Sequence, residues 1–367
     1  MFYKVQEVRL PSGHVTYTVL DQRYVQLEVA DTFLAYLDGI QRSPNTVRAY
    51  ARGLAWYFTF LRERDLSWED VRLDDIARFV QWLRAPASNV IVADLAAARV
   101  ANSTINLYLA AVTAFYEYQA RNGCQVADRL TVWRNIARRR YKGFLGHITP
   151  RQPLRKSAIH LRTATPAPKT LTAEEVRAIL QACRHKRDLF LFSLLWETGM
   201  RVGEALGLRH EDMRTWELTI RVVPREDNVN GARAKGRSER DVHISRELAH
   251  LYSDYMHEEY GLVNSDYVFV NLFDIKHLGC PLSYRNIDQL VRRLRKAAGI
   301  PHFHAHLFRH THATDLLKAK VVLEVISRRL GHSSVATTDR IYSHPDTEFL
   351  RRELAPFWAV HQQEVRG

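Results

Sequence analysis

Cysteine is scarce in this chain of 367 residues: there are three, Cys124, Cys183 and Cys280. Their odd number and wide spacing exclude a disulfide framework, and without a CxxC pair they offer no zinc ligand set. They read as the reduced thiols of a cytoplasmic protein. Long apolar runs are lacking as well. No stretch approaches the ~18 apolar residues that a bilayer-spanning helix needs, and the opening MFYKVQEVRLPSGH has no apolar core of signal-peptide length. Internal repeats and low-complexity tracts are missing too. Acidic residues are absent from one place in particular. Between Arg129 and Ala173 there is no Asp or Glu, against eleven Lys or Arg. The whole chain carries a formal charge of +13, which leaves +2 for the other 322 residues. An acid-free strap between two near-neutral regions suits a polyanion, nucleic acid before others, since an idle solvated linker has no reason to exclude every carboxylate.

What is present is more than one ordinary core can use, so two domains with additions are expected. Residues 3 to 20 alternate as two short strands around Pro11-Ser12-Gly13, a terminal hairpin. Helical periodicity follows. Leu27 to Ile40 sets Val29, Phe33, Leu34 and Leu37 on one face. Ser43-Pro44 supplies a cap and a first-turn proline for a helix running to about Arg64. Further helices are expected near Leu73 to Leu83 and from Ser103 to Gln119, the last ended by Asn122-Gly123. Four helices with short links make a small bundle. From Leu171 the pattern changes. Thr172 with Glu175 forms a capping box for a helix to about Cys183, and helices follow over Asp188 to Glu197 and Val202 to Leu208. Strands are then expected over Glu217 to Val223, Ala232 to Gly236 and Arg240 to Ile244, with a long loop from Pro224 to Gly231. Helices return from Ser245 onward.

The chemistry gathers in three blocks: TGMRVGEALGL from Thr198, HLFRHTHATDLL from His306, and LGHSSVATTDRIY from Leu330. They combine arginine, histidine and tyrosine with no acidic metal-ligand cluster. That mixture suits attack on a phosphodiester without a metal. Guanidinium and imidazole take up the charge a metal would neutralise, and a phenol can be the nucleophile. His302, His304, His306, His310 and His312 do crowd into eleven residues. With Asp315 the only carboxylate close by, no cysteine and no HExxH signature, a metal site is not expected.

In their order these blocks resemble the tyrosine recombinase (phage integrase) family, strongly over Leu171 to Leu350 and more weakly over Gln26 to Gly123. The resemblance implies reversible DNA strand cutting through a phosphotyrosine. Arg201 and Arg309 correspond to the family's two arginines, whose paired planar donors would hold the non-bridging oxygens of the pentavalent phosphorane. Glu204 would hold Arg201 in place. Lys235, in ARAKGRSER, corresponds to the family's β-hairpin lysine, the general acid for the leaving 5′ oxygen. His306, three residues before Arg309, would assist proton transfer at the tyrosine, and His332 would donate a hydrogen bond to the same phosphate. Tyr342, ten residues after His332, would be the nucleophile, its phenol (pKa ~10) activated by cationic neighbours or a base. The aryl ester keeps the bond energy, so religation needs no ATP and no other cofactor.

The same resemblance implies a mainly α fold and a five-part layout. A hairpin appendage (1–22) precedes a helical core-binding domain (23–125) and the basic linker (126–169). A mostly helical catalytic domain with a small antiparallel sheet (170–345) and a C-terminal helix or tail (346–367) complete it. Double-stranded DNA would be clamped with help from Thr46, Arg48, Arg52 and Asn106, and from Arg138, Arg139, Arg140, Lys142, Arg155 and Lys156 of the strap. The segment TEFLRRELAPFWAV, Thr347 to Val360, would dock on a neighbouring protomer of a tetramer assembled on paired sites. Accessory DNA-bending or directionality proteins fit this picture, as does a place on the nucleoid, with no membrane partner. The hairpin and the long strap exceed what a minimal Xer resolvase needs and look like a transposon-encoded integrase. A chromosome or plasmid dimer resolvase and a type IB topoisomerase-like relaxing enzyme are the alternatives. A DNA-binding regulator without activity fits less well, because every catalytic position is filled.

Overall fold

The computed structural model describes residues 2–11, 14–85, 100–124, 131–134, 154–157, 161, 169–225, 227–233 and 239–331. Two compact units divide the chain, Met1–Thr165 and Pro166–Gly367.

The first unit opens with β1 (Lys4–Arg9) and β2 (Val15–Leu20), paired antiparallel with Lys4 opposite Leu20 and Arg9 opposite Val15. Among the described residues four helices follow: α1 (Glu28–Gly39), α2 (Pro44–Glu63), α3 (Leu73–Arg84) and α4 (Asn102–Arg121). Helix α2 starts where the sequence places it. Ser43 Oγ accepts the Thr46 amide at 3.2 Å, and Pro44 fills the first position, where no amide is needed. Its apolar face buries Leu54, Tyr57, Phe58 and Leu61. Gly53 lets α4 come close, since a Cβ there would lie 2.9 Å from the Ala111 Cβ and 3.2 Å from the Tyr108 Cα.

The hairpin was expected as an appendage, and here the structure differs. Tyr17 and Val19 are buried in one cluster with Phe33, Leu34 and Phe58. The Tyr3 amide donates to Thr59 Oγ1, and Thr18 Oγ1 and the Val19 amide both donate to the Asp31 carboxylate. A two-stranded hairpin is marginal alone, and α1 and α2 supply the cover it needs. The basic strap also holds structure that its composition does not announce. In it β3 (Thr131–Arg134) pairs antiparallel with β4 (Leu154–Ser157), which carries Arg155 and Lys156. Arg138, Arg139, Arg140 and Lys142 lie outside the described residues.

The second unit runs α5 (Ala173–Gln181), α6 (Lys186–Thr198) and α7 (Val202–Leu206) into a three-stranded sheet. There β6 (Thr219–Val222) lies between β5 (Met213–Arg214) and β7 (Arg240–His243). Helices α8 (Arg246–Tyr255), α9 (Tyr284–Ala298), α10 (His306–Lys318) and α11 (Leu323–Leu330) follow among its described residues. The expected capping box starts α5, Thr172 Oγ1 taking the Glu175 amide and Glu175 the Thr172 amide. Helix α6 is the core of the unit, with Phe190, Leu191, Phe192, Leu194 and Leu195 all buried.

Two expectations need correcting here. Ala232 and Arg233 belong to no strand; β7 pairs with β6, His243 opposite Thr219. The reason is local. Asn230 donates to the Leu206 and Leu282 carbonyls and accepts the Ala232 amide, which folds the chain into a turn at Gly231 (φ +68°). The helices expected from Ser245 are also interrupted by the non-helical run from 264 to 274, in which Val268, Phe269 and Val270 are buried. The segment from Thr347 lies outside the described residues.

Candidate active site

Helix α6 ends on Gly199 in the left-handed conformation (φ +63°), and two residues later Arg201 caps α7. A Cβ at Gly199 would fall 2.6 Å from His312 Cδ2, so the tight turn that delivers Arg201 requires glycine twice over. Arg201 then binds Glu204 through its amide and through Nη1, each at 2.9 Å. The Glu204 side chain is wholly buried, and Arg240 from β7 reaches both of its oxygens, at 3.3 and 2.7 Å. Burial pushes the Glu204 carboxyl up. The hydrogen bonds and charge of Arg240, and after them those of Arg201, outweigh that push and hold its pKa below the usual value. An ionised carboxylate thus sits between two guanidinium groups.

Arg309, on α10, is only 2% exposed. Its Nη1 donates to the Gly199 carbonyl and its Nη2 to the Leu330 carbonyl, both at 2.8 Å. Arg201 Nη1 reaches the Gly331 carbonyl at 3.4 Å, and Arg240 Nε the Arg329 carbonyl at 3.0 Å. Three successive carbonyls at the end of α11 therefore each receive a donor from a different arginine. A helix C-terminus leaves its last carbonyls unsatisfied and carries partial negative charge, so cations collect there. Gly331 closes the helix at φ +63°, and a Cβ on it would lie 2.6 Å from Arg240 Nη1. The next residue is His332. It and Tyr342 lie outside the described residues.

His306 begins α10, and its ring stands perpendicular to that of His310, 4.7 Å between centroids. It keeps an exposed edge. Burial of the rest of the ring, then the positive neighbours His310, Arg309, His304 and Arg201, push its pKa down to about 4. It is thereby held neutral at physiological pH, with one ring nitrogen able to donate and the other to accept. His312, also pushed to about 4 by burial and then by Arg329 and Arg309, accepts a hydrogen bond from Arg329 Nε at 3.0 Å. Arg329 Nη2 continues to the Glu197 and His243 carbonyls. Among the described residues no group of three His, Cys, Asp or Glu side chains is placed to hold a metal ion.

Lys235 lies outside the described residues, but its approach is visible. Gly203 on α7 leaves room for the Tyr284 hydroxyl and for the Arg233 carbonyl, the latter 2.5 Å from where a Cβ would sit. The chain two residues before Lys235 is thereby pressed against the helix that Arg201 caps. In the first unit Arg48 and Arg52 are exposed one turn apart on α2, while Thr46 Oγ1 is bonded to Ser43 Oγ at 2.9 Å. Asn106 is engaged elsewhere. Its amide donates to the Leu161 carbonyl and its oxygen accepts the Leu161 amide, both at 2.9 Å. In this structure both of its polar groups hold Leu161, near the far end of the strap. Arg240 and Arg329 escaped sequence reading; Arg240 stands five residues past Lys235 in the same block, and only that proximity could have marked it.

Comparison with known proteins follows the same outline. The Phage integrase family profile matches residues 169–348, and that of the phage integrase N-terminal SAM-like domain matches residues 30–123. Transposase A from transposon Tn554 of Staphylococcus aureus is 37% identical over 354 residues, 96% of this chain and 97% of that one. Tyrosine recombinase XerA of Thermococcus kodakarensis is 28% identical over 328 residues, 89% of this chain and 93% of its own. Among solved structures, the Tn1549 transposon integrase in complex with transposon right end DNA superposes with a TM-score of 0.60 at 16% identity, covering 90% of this chain and 99% of that one. A lambda integrase dimer bound to a COC′ core site gives 0.55 at 15% identity, covering 84% and 96%. Both share the fold.

Proposed function

The chain belongs to the phage integrase family of tyrosine site-specific recombinases, and on that footing we propose that it serves a mobile element by cutting and rejoining DNA through a 3′-phosphotyrosyl intermediate. The observation that carries this reading is the convergence of Arg201 and Arg309 on adjacent carbonyls at the end of α11, one residue before His332. Two fixed guanidinium groups so placed suit the two non-bridging oxygens of one scissile phosphate. His306 supports it, a neutral imidazole beside both cations with an edge left open. In the reaction the Tyr342 oxygen attacks phosphorus and the bond to the 5′ oxygen breaks. His306 assists removal of the phenol proton, Lys235 protonates the leaving oxygen, and His332 donates to the phosphate. Strand transfer is the reverse, with a different 5′ hydroxyl attacking the phosphotyrosine. Transposase A from Tn554, similar along almost its whole length, favours a transposon over a housekeeping resolvase. DNA is the partner. A tetramer on paired sites, with the C-terminal segment docked on a neighbour, completes the proposal, and accessory proteins are compatible with it.

A nicked suicide substrate tests the core of this. The wild-type protein should accumulate a covalent adduct, in EDTA as well as without it, and Tyr342→Phe should form none. Equal adduct in both would sink the assignment of the nucleophile; strict dependence on a divalent cation would revive metal chemistry.

A further inference from the structure

We propose that Arg240 is a positioning residue for strand cleavage: from the start of β7, five residues after Lys235 in sequence, it fixes Glu204, and through it Arg201, while tying down the last turn of α11, which precedes His332. The proposal rests on the recombinase reading above and adds a residue to it.

Each nitrogen of this guanidinium has a use. Nη1 and Nη2 take the two oxygens of Glu204, and Nε takes the Arg329 carbonyl. The side chain is 9% exposed and all three of its nitrogens are bonded to protein, so we assign it a part that works through Glu204 and the α11 terminus. Those contacts join three segments far apart in sequence: β7, the start of α7 and the end of α11. All three lead directly to a reacting group, Lys235, Arg201 and His332 in turn. Gly331 leaves the space that Arg240 occupies, since a Cβ there would strike Nη1. Lysine could not replace it, because one ammonium cannot address a carboxylate in bidentate fashion and a carbonyl on the other side.

Without Arg240, Glu204 keeps Arg201 as its one cationic partner in a buried setting. The carboxylate then either draws Arg201 toward itself or takes up a proton at a higher pH. Either outcome loosens a group whose misplacement by about 1 Å can cost ~10²-fold in rate.

The test uses the full-length protein and single-turnover cleavage of a suicide substrate, with DNA affinity measured separately. Arg240→Met should bind DNA within about threefold of wild type and cleave ~10²-fold more slowly. Its rate should also fall off at higher pH on the acid side, as Glu204 protonates sooner. Arg240→Lys should fall between Met and wild type. The double variant Arg240→Met/Glu204→Gln should be no slower than Glu204→Gln alone, since both act through one contact. A folded Arg240→Met variant that cleaves at the wild-type rate overturns the proposal. So does a loss that merely tracks the unfolded fraction, or full additivity in the double variant. Should the Met variant fail to fold, Arg240→Lys decides the matter by the same comparison. If wild type forms no adduct at all, it is the recombinase reading that fails. Arg240's hold on Glu204 is then judged by thermal unfolding against pH, where acid destabilisation should begin at higher pH in Arg240→Met and identical curves would refute it.

Discussion

His306 and His312 both carry imidazoles driven down to about 4, in a site crowded with arginine. The sign of the effect on stability follows. Between pH ~6.5 and 4 the unfolded chain binds protons that the folded one refuses, so the fold weakens as pH falls through that window and gains nothing above it. Thermal midpoints should therefore drop from pH 6.5 toward 4, less steeply in His312→Asn. In the DNA-free protein the His306 ring should not titrate between pH 7 and about 5.5 when followed by NMR, an ordinary imidazole transition near 6.5 being the result that speaks against a neutral His306. Arg309 offers a second case. Its removal strands two buried carbonyls, so Arg309→Ala should lose roughly 2–4 kcal/mol in chemical denaturation as well as its activity. Arg201, Glu204, His306 and Arg309 were legible as residue types in matched motifs, and the structure sets Arg201 and Arg309 on adjacent carbonyls. Arg240 was not, because its partner Glu204 lies thirty-six residues away and meets it only once β7 has paired with β6. The Asn106 clasp on Leu161 was hidden for the same reason. An asparagine on a polar helix face gives no sign that its amide is matched to a backbone fifty-five residues on.

At the scale of elements, the helices were announced by their ends. Ser43-Pro44 and the Thr172–Glu175 box set the starts of α2 and α5, and positive-φ glycines set the ends of α6, α9 and α11. Ser43→Ala should cost about 1 kcal/mol, read from urea unfolding of the N-terminal unit. Gly331→Ala should do more than strain a left-handed residue by roughly 1 kcal/mol. It should push Arg240 off the α11 terminus and slow cleavage, while Gly299→Ala, equally left-handed but with open space around it, should cost stability alone. Strands were harder to place. The stretch from Ala232 to Gly236 has no β-branched or aromatic residue to favour a strand, and the Asn230 contacts settle where the chain turns. The terminal hairpin was read correctly as a hairpin and wrongly as an appendage, since alternation reveals a buried face without naming what buries it.

For the whole molecule, charge is the property most open to measurement. The strap from Arg129 to Ala173 holds eleven cations and no acid. Each phosphate contact contributes roughly −0.9 to the slope of log affinity against log salt. Converting Arg138, Arg139, Arg140 and Lys142 to glutamine should flatten that slope by up to about 3.6 units, and an unchanged slope would mean that these four touch no phosphate. The division into two units was foreseen from length and from the strap's composition, whereas the β3–β4 pairing inside the strap was not, since eleven like charges mask any alternation.

The end of α11 is also a point of register. One extra residue within that helix would swing its end by about 100°, drawing the Arg329, Leu330 and Gly331 carbonyls away from the three arginines that bond them. Length there is heritable as a fixed quantity. Among descendants of this chain, insertions should accumulate instead in the 224–229 loop, whose far end Asn228 and Asn230 anchor whatever its span.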